Sequence, residues 1–224
     1  MNPHNMLFFD IETTAHPKAQ DFIQVKPPAN YKDPAKIAEY VQEKSTEQLA
    51  NAALDPDLGA VRAIAWRIGP NGETVVRLVN EKASETEVIS EFWSLLFSFR
   101  LMGRCCGYNI LSFDLPFLMH RSMDLGVRMN AIPNLARYRT DPITDLFAIL
   151  FNWGPGKGLK WVAKRYGLQN SVPELDGSQV AGMDDALLSQ YVASDVDLVA
   201  QLYRKMNRWR ETSTAPPTHP PSKS

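Results

Sequence analysis

The chain has 224 residues, 44% hydrophobic and 22% charged, the composition of a folded globular domain rather than of a disordered or fibrous chain. Its formal net charge of −1 argues against nucleic-acid binding by bulk electrostatics, while local basic patches and bound cations stay open. No apolar run approaches the roughly 20 residues needed to cross a bilayer, and no cationic segment followed by an apolar one marks the start for export.

The first predicted element is the apolar run Met6-Leu7-Phe8-Phe9-Asp10-Ile11-Glu12-Thr13. Unbroken hydrophobicity is expected of a strand covered on both faces, hence one in the middle of a sheet. Alternation along the strand points Asp10 and Glu12 to the same side, about 7 Å apart. Two carboxylates held that close beside a low-dielectric core repel each other unless a positive charge sits between them. Their hard oxygen donors suit magnesium or manganese. A lone D-x-E triplet, however, also ends many strands that simply meet water.

A proline-rich excursion follows, with Pro17, Pro27, Pro28 and Pro34. A helix or two is expected from Asp33, with Pro34 in the first helical position, as a lid or a plain surface elaboration. Ala60 to Ile68 and Glu73 to Val79 read as two strands joined by the turn Gly69-Pro70-Asn71-Gly72. Ser84, with Glu87 three residues on, caps a helix whose apolar face is Val88, Ile89, Phe92, Leu95, Leu96 and Phe99. A short strand from Gly103 to Asn109 then returns parallel to the first. It carries both cysteines, Cys105 and Cys106, expected as core and edge packing in a reducing, cytoplasmic compartment.

Ser112 is expected to cap the next helix, with Asp114 in its first turn at the crevice edge where Asp10 and Glu12 emerge. Arg121, Arg128, Arg137 and Arg139 form one basic run. Lys157, Lys160, Lys164 and Arg165 form another, in a stretch without acids from Leu146 to Pro173. Both runs suit a phosphate backbone, or solvated surface. The last helix, from about Asp184 to Trp209, has one stripe of Leu188, Val192, Val196, Val199, Tyr203 and Met206. Tyr191 and Asp195 lie one above the other on its flank, and Asp197 faces away. A disordered tail is expected from residue 211 to 224.

Taken in order, Asp10-Ile11-Glu12-Thr13, the N-x-x-x-F-D of Asn109, Phe113 and Asp114, and the Y-x-x-x-D of Tyr191 and Asp195 resemble the three motifs of the DEDD exonuclease superfamily, tyrosine branch. They look most like the proofreading exonuclease domain of family-B DNA polymerases. The other branch has a histidine before the last aspartate, and none of His4, His16, His120 or His219 stands there. The resemblance implies an α/β, ribonuclease H-like fold with a mixed central β-sheet flanked by helices. It also implies two divalent ions, Mg²⁺ or Mn²⁺, and stepwise release of nucleoside monophosphates from the 3′ end of single-stranded DNA. By the same resemblance Asp10 bridges both ions, Glu12 and Asp195 complete one, and Asp114 holds the other partly through water. Tyr191 aims the attacking water, Asn109 and Phe113 touch the terminal nucleotide's sugar and base, and Thr13 its end. Lys157 joins them as a candidate substrate contact from the second basic run.

No polymerase domain is visible, so residues 1 to 210 are expected as one exonuclease domain with an insertion at about 14 to 59. A DNA polymerase or repair proteins are the partners the family suggests. The alternatives are the same chemistry on RNA and a catalytically silent nucleic-acid-binding module.

Overall fold

The computed structural model describes residues 6–98, 104–130, 132–141 and 143–213, with side chains as far as residue 208. Strand β1 (Leu7–Ala15) is the axis of a five-stranded sheet. On one side it pairs antiparallel with β2 (Gly59–Ile68), and β2 with β3 (Val75–Leu78). On the other side it runs parallel to β4 (Cys105–Gly107), and β4 parallel to β5 (Ile143–Asp145). The order is β3-β2-β1-β4-β5, the mixed sheet expected. The hairpin turn is confirmed at Gly69, whose φ of 75° lies where glycine alone is unstrained. β5 is not foreseen in the sequence, because three residues are too few to show a period.

Five of the seven α-helices among the described residues cover the two faces of this sheet. Against one face pack α3 (Glu85–Ser98) and α4 (Asp114–Asp124), where Leu7, Phe9 and Ile11 meet Val88, Ile89, Phe92 and Leu118. Against the other pack α5 (Leu146–Phe151), α6 (Leu159–Tyr166) and α7 (Asp185–Ser213), where Met6 and Phe8 meet Leu146, Val162, Val192 and Val196. Phe8 and Phe9 are fully buried in opposite layers, each contributing about 1.5–3 kcal/mol from burial. The parity that sends Met6 and Phe8 toward α7 sends Asp10 and Glu12 there too. Cys105 and Cys106 are both fully buried, one in each layer, so the expected edge position for one is corrected to core.

Three local expectations change. Ser112 does not cap α4, which begins at Asp114 with no side-chain bond from the preceding Phe113. Asn109 turns left-handed (φ 68°) and its carbonyl accepts both the Ser112 and Phe113 amides, which draws Ser112 into the turn. The excursion contains α1 (Ala19–Phe22) and a single long helix, α2 (Pro34–Ala50), capped by Asp33 accepting from the Ala35 amide at 2.9 Å. α2 buries no residue; the excursion is anchored instead by Ala52, fully buried in a 3-10 turn at Ala52–Leu54. α7 runs to Ser213, three residues into the expected tail, and it buries Leu198, Ala200 and Leu202 besides its foreseen stripe. The rest of that tail, Phe99 and Gly103 lie outside the described residues. Among those residues no helix is long and apolar enough to cross a membrane.

One buried ion pair ties the layer beneath the sheet together. The Arg121 guanidinium of α4 donates to both Glu85 oxygens of α3 at 2.8 Å, and Glu85 Oε1 also accepts the Val61 amide of β2 at 2.7 Å. A bidentate pair with its lone pairs satisfied is stable, but removing one partner strands a buried charge. Arg121→Ala is therefore expected to lower unfolding free energy by about 3–5 kcal/mol in urea titrations. Arg128→Ala, at an exposed position on the same chain segment, is expected to change it by less than about 0.5 kcal/mol.

Candidate active site

The cleft lies at the carboxyl ends of β1 and β4. Asp10 and Glu12 come from the last turn of pleat in β1, just before a bulge in the pairing between Glu12 and Thr13. Asp195 reaches them from α7. One carboxylate oxygen from each of the three lies within 4.8 Å of the others. Asp114 enters from the opposite wall, nine-tenths or more buried with 3% exposure. Its Oδ1 accepts the Ile11 amide at 3.2 Å. The Leu7 amide, on the same edge of β1, is taken by Arg104; β4 has ended by the level of Ile11, so the aspartate substitutes for a missing strand partner. α4 thereby starts against β1.

The same cleft is lined by Tyr108, Asn109, Phe113, Tyr191 and the α6 entry Gly158-Leu159-Lys160. Seven of the predicted residues, Asp10, Glu12, Asn109, Phe113, Asp114, Tyr191 and Asp195, thus converge. Thr13 and Lys157 do not line it. Past the bulge Thr13 is turned away, and its hydroxyl donates to the Ala53 carbonyl of the excursion. Lys157 is exposed, and its carbonyl accepts the Tyr108 hydroxyl.

Two residues of consequence were not read as part of the cleft: Lys160 was assigned only to a basic run, and Asp145 was not named. Lys160 separates from the exposed Lys157 and Lys164: its ammonium pairs with Asp195 Oδ1 and lies 4.5 Å from the centre of the Tyr191 ring. Asp145, at the end of β5, accepts four amides. Asn109 (2.9 Å) and Leu111 (3.0 Å) come from the loop that carries the second motif; Phe147 (3.0 Å) and Ala148 (3.2 Å) come from the first turn of α5. An aspartate directly before the apolar run Leu146-Phe147-Ala148-Ile149-Leu150 is an N-cap signal that the sequence does carry.

The electrostatics follow from burial and crowding. Desolvation first, then the Asp114, Glu12 and Asp195 charges, push the Asp10 carboxyl far above the usual carboxylate range, with Lys160 opposing. Burial and the Asp195 and Asp114 charges raise Glu12 in the same way. Asp114 is pushed up to about 8, chiefly by burial, against the lowering effect of backbone amides. Asp195 is raised by burial despite Lys160 and Tyr191, which both favour its charged form. The Tyr191 phenol is driven well above its ordinary value by burial and by the Asp195, Glu12 and Asp10 carboxylates. Clustered acids that one lysine offsets only in part suit a cation, and their oxygen donors fit a hard divalent ion.

Residues 2–152 match the family model for the exonuclease domain of DNA polymerase family B. Tyr191 and Asp195 lie beyond the matched residues, so the third motif rests on the cleft geometry. No curated protein matches the chain in sequence. The fold is similar to the family B DNA polymerase of the hyperthermophilic archaeon Pyrobaculum calidifontis, with a TM-score of 0.59 and 22% identity over 90% of this chain. The chain spans about a quarter of that polymerase's length, 24%.

A carboxyl whose folded pKa exceeds its unfolded value of about 4 binds more protons in the folded state. Its contribution is favourable at low pH and is lost as pH rises toward the folded value. With chelator present, the melting temperature is expected to fall between about pH 4 and 8. Asp114→Asn should flatten that slope, and an unaltered slope in the variant would refute the assignment.

Proposed function

The chain belongs to the family of DNA polymerase B exonuclease domains, and from that premise we propose that it is a divalent-metal-dependent 3′-to-5′ exonuclease releasing nucleoside monophosphates from single-stranded DNA. The observation that carries this reading is the convergence of Asp10, Glu12 and Asp195 within 4.8 Å of one another, in one cleft with Asp114 and Tyr191. Residues 1 to 210, with the insertion at about 14 to 59, are read as one exonuclease domain.

Asp10, Glu12 and Asp195 would hold one Mg²⁺ or Mn²⁺ ion, and Asp114 with Asp10 a second. When bound, such a pair lowers the pKa of water and neutralises charge developing on a phosphoryl group. The chain's own residues supply position. In the metal-free cleft, burial and the neighbouring carboxylates oppose ionisation of the Tyr191 phenol. The phenol is therefore suited to aim a water by hydrogen bonding and not to remove its proton. Lys160, bonded to Asp195 and lying over the Tyr191 ring, sets the relative position of those two groups and offsets part of the cluster's charge. Asn109 and Phe113 are read as contacts to the terminal nucleotide. Their loop is held by the two amide bonds to Asp145. The cleft, about 270 Å³, is at the small end for ligand pockets and suits one unpaired nucleotide better than a base pair. A larger hollow of about 750 Å³ beside α2 mixes Lys44 with Glu47, Asp55 and Asp57 and brings no comparable set of ligands together. Thr13 and Lys157 are retained only as contacts beyond the cleft wall.

The test is hydrolysis of a 3′-labelled oligodeoxynucleotide with Mg²⁺, with Mn²⁺ and with chelator, run beside a matched RNA. Activity is expected only with metal and to be abolished in Asp10→Ala; full activity in excess chelator would overturn the reading. Tyr191→Phe keeps the ring and loses the hydroxyl, so turnover at saturating metal should fall about 10- to 1,000-fold. Asp195→Asn should lose turnover and metal affinity together.

A further inference from the structure

Away from the cleft wall, the chain builds an aromatic surface that its core does not require. Tyr138 is 71% exposed, yet its backbone is left-handed (φ 64°), as are Asn152 (φ 49°) and Trp153 (φ 56°). Left-handed backbone at bulky aromatic residues is strained and persists only where surroundings enforce it. Here each strained residue holds the other. The Tyr138 and Trp153 rings meet at 5.4 Å with a 52° tilt. The Arg137 guanidinium stands 5.6 Å over the Tyr138 ring and donates to the Trp153 carbonyl at 3.4 Å. Trp153 Nε1, shielded from solvent, has no hydrogen-bond partner among the described residues.

The surroundings are basic. Between residues 125 and 173 the chain has Arg128, Arg137, Arg139, Lys157, Lys160, Lys164 and Arg165 against two acids, Asp141 and Asp145, and Asp145 is buried on backbone amides. Trp153 also belongs to the loop that ends in the cleft. Gly158, a cleft residue, lies five positions on from Trp153, so the two are at most about 18 Å apart. Between them stands the exposed Lys157, fixed through its carbonyl by the cleft residue Tyr108.

We propose that Arg137, Tyr138 and Trp153 form a stacking platform for bases of the single strand upstream of the nucleotide in the cleft, with Lys157 over the connecting phosphates. The proposal rests on the exonuclease reading, which supplies the strand's direction. Aromatic faces accept any base and arginine stacks on both, so the platform adds affinity without sequence preference.

Two substrates separate the platform from the cleft: a dinucleotide, which occupies the cleft alone, and an oligothymidylate of about twelve nucleotides. Affinity for the longer strand is measured in chelator, where nothing is cleaved, and kcat/KM for both is measured with Mg²⁺. In Tyr138→Ala, affinity for the longer strand and the preference for it over the dinucleotide should both fall about 5- to 100-fold, the loss of one base-aromatic stack. Tyr138→Phe, which keeps the ring, should restore both, and Tyr138→Leu should not. Wild-type affinity in Tyr138→Ala would overturn the platform, as would an equal loss on both substrates. A wild-type protein that cleaves neither substrate would overturn the exonuclease reading instead, and the binding arm would still decide the platform.

Discussion

Mutual repulsion among buried carboxylates is the constraint around which this molecule is arranged. Asp10, Glu12, Asp114 and Asp195 are brought into one cleft where desolvation and each other's charge oppose ionisation. Such an arrangement is unfavourable for folding, and the rest of the structure has to over-determine it. β1 does so by being covered on both faces: Phe8 and Phe9, locked in opposite layers, leave Asp10 and Glu12 no freedom of side. α7, with buried residues from Leu188 to Tyr203, delivers Asp195 from a packed element. Among the described residues Lys160 is the cation paired within the cluster; it bonds one carboxylate, Asp195, and offsets only part of the charge of Asp10 and Glu12.

Support for the second wall is less direct. β4 is only three residues long, so the loop after it cannot inherit order from strand pairing. Asp145 supplies that order with four amide bonds, two to this loop and two to the start of α5. Asp114 closes the other end on the Ile11 amide. A carboxylate that serves both as a backbone partner and as a candidate ligand couples the geometry of the sheet to the state of the site.

How much of this was legible in the sequence depends on the period of each element. A strand alternates with period two, so Asp10 and Glu12 could be assigned to one face from the apolar run alone. A four-residue step on a helix likewise fixed Tyr191 beside Asp195. Thr13 shows where that reasoning stops: the bulge after Glu12 breaks the alternation, and no residue type announces it. Lys160 was hidden among its neighbours, since a run of lysines reads as one basic surface. Lys160, in the first turn of α6 beside the cleft, reaches Asp195, whereas Lys157 lies before the helix and Lys164, one turn further on the same face, is exposed; helical spacing alone does not tell Lys160 from Lys164. β5 was too short to show a pattern, and with it went Asp145, although its position before an apolar helix was a usable cap signal. The excursion was readable as helical, but its lack of any buried face on α2 is a tertiary fact that its amphipathic spacing did not disclose.

The central claim is that the cleft is a set of acids kept partly protonated by burial until a divalent cation replaces the protons. The most direct measurement is calorimetric titration of metal-free protein with Mn²⁺ near neutral pH, in two buffers of different ionisation enthalpy. Cation binding to raised carboxyls must displace protons, so the account predicts saturable binding with a net proton release. Saturable binding without proton release, or no binding at all, would contradict it.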